Sequence, residues 1–347
     1  MAQIEGLKTE DAGGALQNYV VIRDLSEDEE PSHWTMSQLA MDIRTDEKVL
    51  ISRLNKTKFI AHGFREQSGS ETEEEREAIK AQAIAKYQGE LNHFVNLNKK
   101  VVGLSHPAIA KVIDFGVDQK NMEAVVTVEY VDGAPVFDVT NGMPILGMIP
   151  IFLSVLEGLN FMHFRDILHL NLKSKRVLVK AGFPSVAKLT DYGYALSVGK
   201  IPDGVFGSAI YSAPEVIRGE KDKIGVVSDL YSFAALAYSC MARVFPFPER
   251  ENAEHSYELK EIVHREEEPL KPSLRNTLMI RRECDKAAAD KIAKLEDIIM
   301  ALLKASPDDR PHRTAWELIS NISSLFKEEL EKKRLGDATI TRSASIT

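Results

Sequence analysis

Cysteine is nearly absent. Cys240 and Cys284 are the whole complement of a 347-residue chain. Two thiols make no disulfide framework, which excludes the small secreted scaffolds that depend on one and leads us to expect a cytoplasmic protein. An excess of positive charge is also lacking: the net charge is −8. That balance argues against nucleic acid or an anionic membrane surface as partner. The opening residues carry no signal-peptide pattern. The most apolar stretch, MPILGMIPIFLSVL (143–156), holds two prolines and is too short to span a bilayer. It reads as a helix of a buried core. Glycine is missing from residues 26–40 altogether, an absence that matters below.

What is present is the material of a globular chain. With 44% hydrophobic and 28% charged residues, 347 residues suit one two-lobed domain or two modest ones. Short β-like runs occupy the first part: YVVIRDL (19–25), QLAMDIR (38–44), KVLISRL (48–54), IAKVIDFG (109–116) and EAVVTVEYV (123–131). A long helical stretch starting in the acidic run Glu71–Glu77 interrupts them. Its length, and Gly89 within it, predict two helices or a kink. From Pro144 the pattern is mainly helical, broken by RVLVK (176–180) and VAKLT (186–190). The expected organisation is an N-terminal extension (1–17), a β-rich lobe (18–131), an α-rich lobe (132–335) and a disordered tail (336–347).

Several segments together resemble one family, the eukaryotic-type protein kinases, in a bacterial style. HLNLKSKRVLV (169–179) resembles the catalytic loop, written H-R-D-L-K-x-x-N in that family. KLTDYGYAL (188–196) resembles the metal-binding D-F-G segment, and GSAIYSAPEVI (207–217) the end of the activation segment. SDLYSFAALAY (228–238) resembles the helix whose Asp braces the catalytic loop. SPDDRP (306–311) is similar to the stretch carrying the Arg that pairs with the A-P-E Glu, here Glu215. HPAIAKVIDFG (106–116) and VEYVDG (128–133) match the strand after helix C and the hinge. The resemblance spans roughly residues 18–326. It implies an α+β, bilobal protein-kinase-like fold: a small β-rich N-lobe with helix C and a larger α-helical C-lobe.

Phosphoryl transfer needs a phosphate cradle, a Lys on the phosphates, metal ligands and a base. In place of the glycine cradle the chain has SEDEEPSHWTMSQLA (26–40), with Glu27, Asp28, Glu29 and Glu30 in it. In VLIS (49–52), Ser52 stands where the family has its Lys, and Leu50 where it has a small Ala. Leu50 and Ser52 share one strand face, which in the family lines the adenine site. Counting back from His106 puts Leu97 at the helix-C Glu position, with Glu90 the nearest N-terminal carboxylate. Asn171 replaces the base, and a neutral amide has no useful basicity near neutral pH. Arg176 takes the place of the metal-binding Asn; a guanidinium has no lone pair for Mg²⁺. Leu170 replaces the Arg that answers an activation-loop phosphate in many members. Lys173 and Asp191 are retained, and Asp191 is expected to pair with Arg176.

Framework residues survive where chemical ones do not. His169, Tyr192, Val101 and Val112 match an internal spine, and Val128, Leu178, Glu215, Asp229 and Arg310 match other architectural positions. The expectation is a pseudokinase without enzymatic activity, cofactor or metal, acting as a scaffold or allosteric partner of an active kinase or another signalling protein. Docking surfaces would be the helix-C region (71–100), the acidic loop (26–30) and EHSYELKEIVHREEE (254–268); the tail TRSAS (341–345) resembles a basophilic phosphosite. Two alternatives stand beside it. One is an atypical kinase-fold enzyme, moving a phosphoryl or nucleotidyl group with Lys173, Asp191 and a displaced Lys such as Lys58. The other is a metal-independent nucleotide sensor with Arg176 on the phosphates and Leu50, Val128, Leu178 and Asp191 around the ligand.

Overall fold

Val49 and Ile51 are buried in the run Glu47–Leu54 while Leu50 and Ser52 between and beside them are half-buried, which is the two-residue period of a strand. The computed structural model that shows this describes residues 16–25, 35–54, 56–57, 72–118, 123–180, 186–190, 196–197, 208–253, 256–265, 268–275 and 286–332. It divides into two compact units. One runs to Ser105 and takes in Ala110–Tyr130; the other joins His106–Ile109 to the chain from Val131 onward.

The first unit is built on a five-stranded antiparallel sheet: β1 (Tyr19–Asp24), β2 (Thr35–Asp42), β3 (Glu47–Leu54), β4 (Val112–Asp118) and β5 (Glu123–Glu129), in the order β1-β2-β3-β5-β4. One face gathers Tyr19, Ala40, Val49, Ile51 and Val125 into a core, capped by Leu16 and Ile113. At its margin Arg44 forks onto the Asp42 carboxylate and donates to the Tyr19 hydroxyl. Helix α1 (Glu73–Val101) packs on β4 and β5. Thr72 caps it and Glu75 closes the capping box, and three acids in its first turn suit the positive end of the helix. The expected break is not there: α1 is continuous for 29 residues. Gly89 has no atom within 4 Å of where a Cβ would stand, so it loosens the helix slightly without forcing a kink. Residues 73–82 stay largely exposed, and burial begins at Ala83.

The second unit is mainly helical. Helices α2 (Ile145–His163) and α3 (Val226–Ala242) form its centre, and α3 is buried from Ser228 to Ala242. A helix apolar on every side has its place inside a larger core. Around them lie α4 (Ser256–Arg265), α5 (Lys286–Leu302), which packs on α3, and α6 (Ala315–Leu325), which packs on α2. Strands β6 (Gly133–Pro135), β8 (Val177–Lys180) and β9 (Ala187–Leu189) make a small antiparallel sheet; β7 (Ile167–Leu168) pairs with β10 (Leu196–Ser197). The apolar stretch at 143–156 continues as helix to His163, so α2 is long and apolar enough to cross a membrane by length and composition, contrary to its expected shortness. In this structure 67% of it is buried inside the protein. A β-rich first part followed by a helical second part is the α+β arrangement anticipated from the sequence.

Gly133 has no room for a side chain. A Cβ there would stand 2.3 Å from the Val179 carbonyl oxygen across β6 and β8. Gly133→Ala is expected to destabilise the protein by about 1–3 kcal/mol, read as a lower urea midpoint. An unchanged midpoint would show that the two strands can part freely.

Candidate active site

The loop 169–173 follows β7, and each of its five residues is buried. Its shape comes from one carboxylate on α3. Asp229 Oδ2 accepts the His169 backbone N–H at 2.8 Å, and Oδ1 accepts that of Leu170 at 2.8 Å. His163, at the end of α2, donates from Nε2 to Oδ2 at 2.8 Å. Leu170 sits at φ +52°, a left-handed conformation that costs a branched side chain about 1 kcal/mol or more. Asp229 sustains that turn. Asn171 then donates its N–H to His169 Nδ1 at 3.2 Å, which fixes that nitrogen as an acceptor.

Burial pushes the Asp229 carboxyl up, but the hydrogen bond from His163, its electrostatic attraction and the His169 backbone N–H outweigh it, and the group lies below the ordinary carboxylate value. The ionised form is therefore the one the fold holds.

Asn171 brings an amide to the position of a base, and the nearby Lys173 is also buried. Arg176 ends a single 3₁₀ turn, Ser174–Arg176, with its N–H on the Lys173 carbonyl at 2.9 Å. Its own carbonyl accepts from the Thr190 N–H at 2.9 Å and the Thr190 hydroxyl at 3.1 Å. This ties the start of β8 to the residue after β9. Leu178 faces Lys188 across those strands and is half-buried. Asp191 and Tyr192, and with them the expected Asp191–Arg176 pair, lie outside the described residues. So do the acidic loop 26–30, Lys58, Cys284, the tail and the side chain of Glu90.

The first unit arranges its own candidates. Leu50 pairs with Leu39 on one side and Val128 on the other, so the three share one sheet face. On the same face Ser52 lies opposite Ser37, with the hydroxyls 3.3 Å apart. The position read as the family's Lys is thus filled by a pair of hydroxyls. Leu97 belongs to the buried stripe of α1 with Phe94, Asn98 and Val101.

Among the described residues no group of three His, Cys, Asp or Glu could hold a metal, and the side chain of Arg176 only donates. No metal-dependent step is assigned.

Farther along, Glu215 and Arg310 form a fully buried two-point ion pair, Nη1–Oε1 2.7 Å and Nη2–Oε2 2.8 Å, with Ser228 donating to the same carboxylate at 2.7 Å. This pair was legible in the sequence. His163 and Arg250 were not. His163 ends an apolar run, and Arg250 sits in the polar string PEREN, which reads as solvated surface.

Two substitutions test this network. Arg310→Met leaves the Glu215 carboxylate buried without its cation and is expected to cost about 3–5 kcal/mol in a denaturant melt. Asp229→Asn points an amide donor at backbone donors and should cost at least about 1.5–3 kcal/mol. Because the folded Asp229 is held below its unfolded value of about 3.9, its contribution is complete above that pH and is lost as pH falls through the lower folded value. Wild type should therefore lose, below about pH 4, an acid-dependent increment of stability that Asp229→Asn no longer has. Parallel acid profiles would refute the assignment.

The protein kinase domain model matches residues 69–321, more than half of the chain. The chain is 27% identical over 234 residues to the serine/threonine-protein kinase PknB of Mycobacterium leprae, covering 65% of this chain and 34% of that protein. It is 33% identical over 156 residues to the serine/threonine-protein kinase pkn2 of Myxococcus xanthus, 42% of this chain and 18% of that protein. A probable serine/threonine-protein kinase of Clostridium perfringens matches at 27% over 235 residues, 66% and 31% of the two chains. The chain thus spans about a third or less of these relatives' length. These matches overturn the expectation, drawn from Ser52, Leu97, Asn171 and Arg176, that the protein is not an enzyme. Its relatives are named as kinases, and single exchanged side chains do not outweigh a domain-wide match that points to an enzyme. The chain belongs to the protein kinase domain family.

Proposed function

We propose that the chain is an atypical serine/threonine-type protein kinase that transfers phosphate slowly, without a side-chain base, within a signalling interaction with another protein. The observation that carries this reading is the buried loop 169–173, shaped by Asp229 and keeping Lys173 in place. Phosphoryl transfer in this family passes through a loose transition state, so positioning and charge supply most of the rate. A general base adds a factor of about 10²–10⁴, and its lack slows the reaction without removing the rest. With Asn171 in that position the acceptor hydroxyl gives up its proton to solvent or to a phosphoryl oxygen. The net charge of −8 supports a protein partner over nucleic acid.

A second reading, nucleotide binding without metal, is favoured by Arg176. A guanidinium is a fixed cation that meets phosphate oxygens bidentately, whereas it repels Mg²⁺. In that case the chain acts as an allosteric partner whose output is the bound state.

Asn171→Asp separates the two. Restoring a carboxylate should raise incorporation of label from γ-labelled ATP by about 10²–10⁴ over wild type. A thermal-shift titration with ATP, with and without Mg²⁺, reads binding independently; a ligand at 100 times its Kd adds about 2.7 kcal/mol. A metal-free shift with no incorporation in either protein supports the second reading. Neither shift nor incorporation contradicts both.

A further inference from the structure

Residues 208–212 form a tight turn. The Ser208 carbonyl accepts the Tyr211 N–H at 3.0 Å, the Ser212 N–H at 2.9 Å and the Ser212 hydroxyl at 2.8 Å. Two other carbonyls of the turn meet Arg250. Its Nη1 donates to the Ala209 oxygen at 3.1 Å and to the Ser212 oxygen at 2.6 Å, and its Nη2 donates to the Tyr231 hydroxyl at 2.9 Å. Arg250 is only 1% exposed, although it comes from the polar run Pro248–Asn252. A guanidinium so deep in the protein is costly unless its donors are answered and its faces covered. Here Phe247 covers it at 4.6 Å from ring centroid to guanidinium carbon, and Tyr231 lies at 5.8 Å.

Tyr231 has a second cation. Arg310 stands 4.9 Å from the same ring and grips Glu215 just beyond the turn. The stretch 208–215 is therefore bracketed by two buried arginines that meet on one tyrosine of α3. The turn itself is partly sealed by Tyr211, whose ring packs edge-on against Phe245 at 5.6 Å.

We infer that Arg250 is a positioning residue: through its bonds to the Ala209 and Ser212 carbonyls and to Tyr231, it holds the turn 208–212 in one conformation before any ligand arrives. This goes beyond the proposed activity and does not depend on turnover. Arg310 fixes the helix that follows the turn; Arg250 fixes the backbone of the turn, and the Tyr231 ring couples the two.

Hydrogen exchange on the full chain without ligand tests it. In Arg250→Met the Tyr211 and Ser212 amides should exchange at least about tenfold faster, the factor that loss of one charge-assisted hydrogen bond gives. Arg250→Lys, which can still reach a carbonyl, and Tyr231→Phe, which keeps the ring, should fall between Met and wild type. The amides of α2 should keep their wild-type protection in the two mild variants. Unchanged exchange at Tyr211 and Ser212 in the mild variants and in Arg250→Met would overturn the inference. So would acceleration of equal size in α2, which marks general loosening, and the mild variants decide the matter if Arg250→Met does not fold.

Discussion

The carboxylate of Asp229 stands at the middle of the second unit and takes three donors: the backbone of His169, the backbone of Leu170 and the imidazole of His163. A buried anion of this kind must be hydrogen-bonded or paired with a cation, or else be neutralised. Answering it bends the chain at Leu170 into a conformation that a leucine does not choose by itself. The loop 169–173 owes its course to that bend, and α2 and α3 are held together through the same oxygen atoms. The Glu215–Arg310 pair and the Arg250 contacts repeat the logic further along: charges inside the protein pin irregular backbone that hydrophobic packing alone could not specify.

This separates framework from chemistry. The anchors of the loop are one set of atoms, and the side chains carried by it and by the turn after it, Asn171, Lys173 and Arg176, are another. Exchange of a presented side chain leaves the anchors untouched, so the shape of the loop is compatible with a residue at 171 that carries no charge. The expectation of an inactive protein rested on several exchanged residues at once, each costing about 10²-fold or more in rate. The match across residues 69–321 and the transition state's dependence on positioning weigh against it.

Much of the fold could be read from the residues because local and global preferences agree. The alternation of Val49 and Ile51 with Leu50 and Ser52 announced β3 and its two faces. Asp229 in the first turn of the largely apolar α3, and Arg310 in SPDDRP, were legible because they occur within ordered landmarks. The continuity of α1 was not, since Gly89 weakens a helix everywhere and breaks it only where tertiary contacts demand a bend. Arg250 escaped notice for another reason. Nothing in PEREN distinguishes a cation turned toward carbonyls from one turned toward water; only the burial around Tyr231 and Phe247 does so. Likewise the Ser37–Ser52 contact depends on strand register, which pairs residues fifteen positions apart.

The central claim is that Asp229 holds the backbone of the loop 169–173 in place, and the native-state exchange of two amide protons tests it most directly. If the claim is right, the His169 and Leu170 amides of the wild-type protein exchange only through unfolding of the whole second unit, with the same protection as the middle of α3. Exchange of these two amides at the rate of an exposed loop, while α3 stays protected, would contradict it.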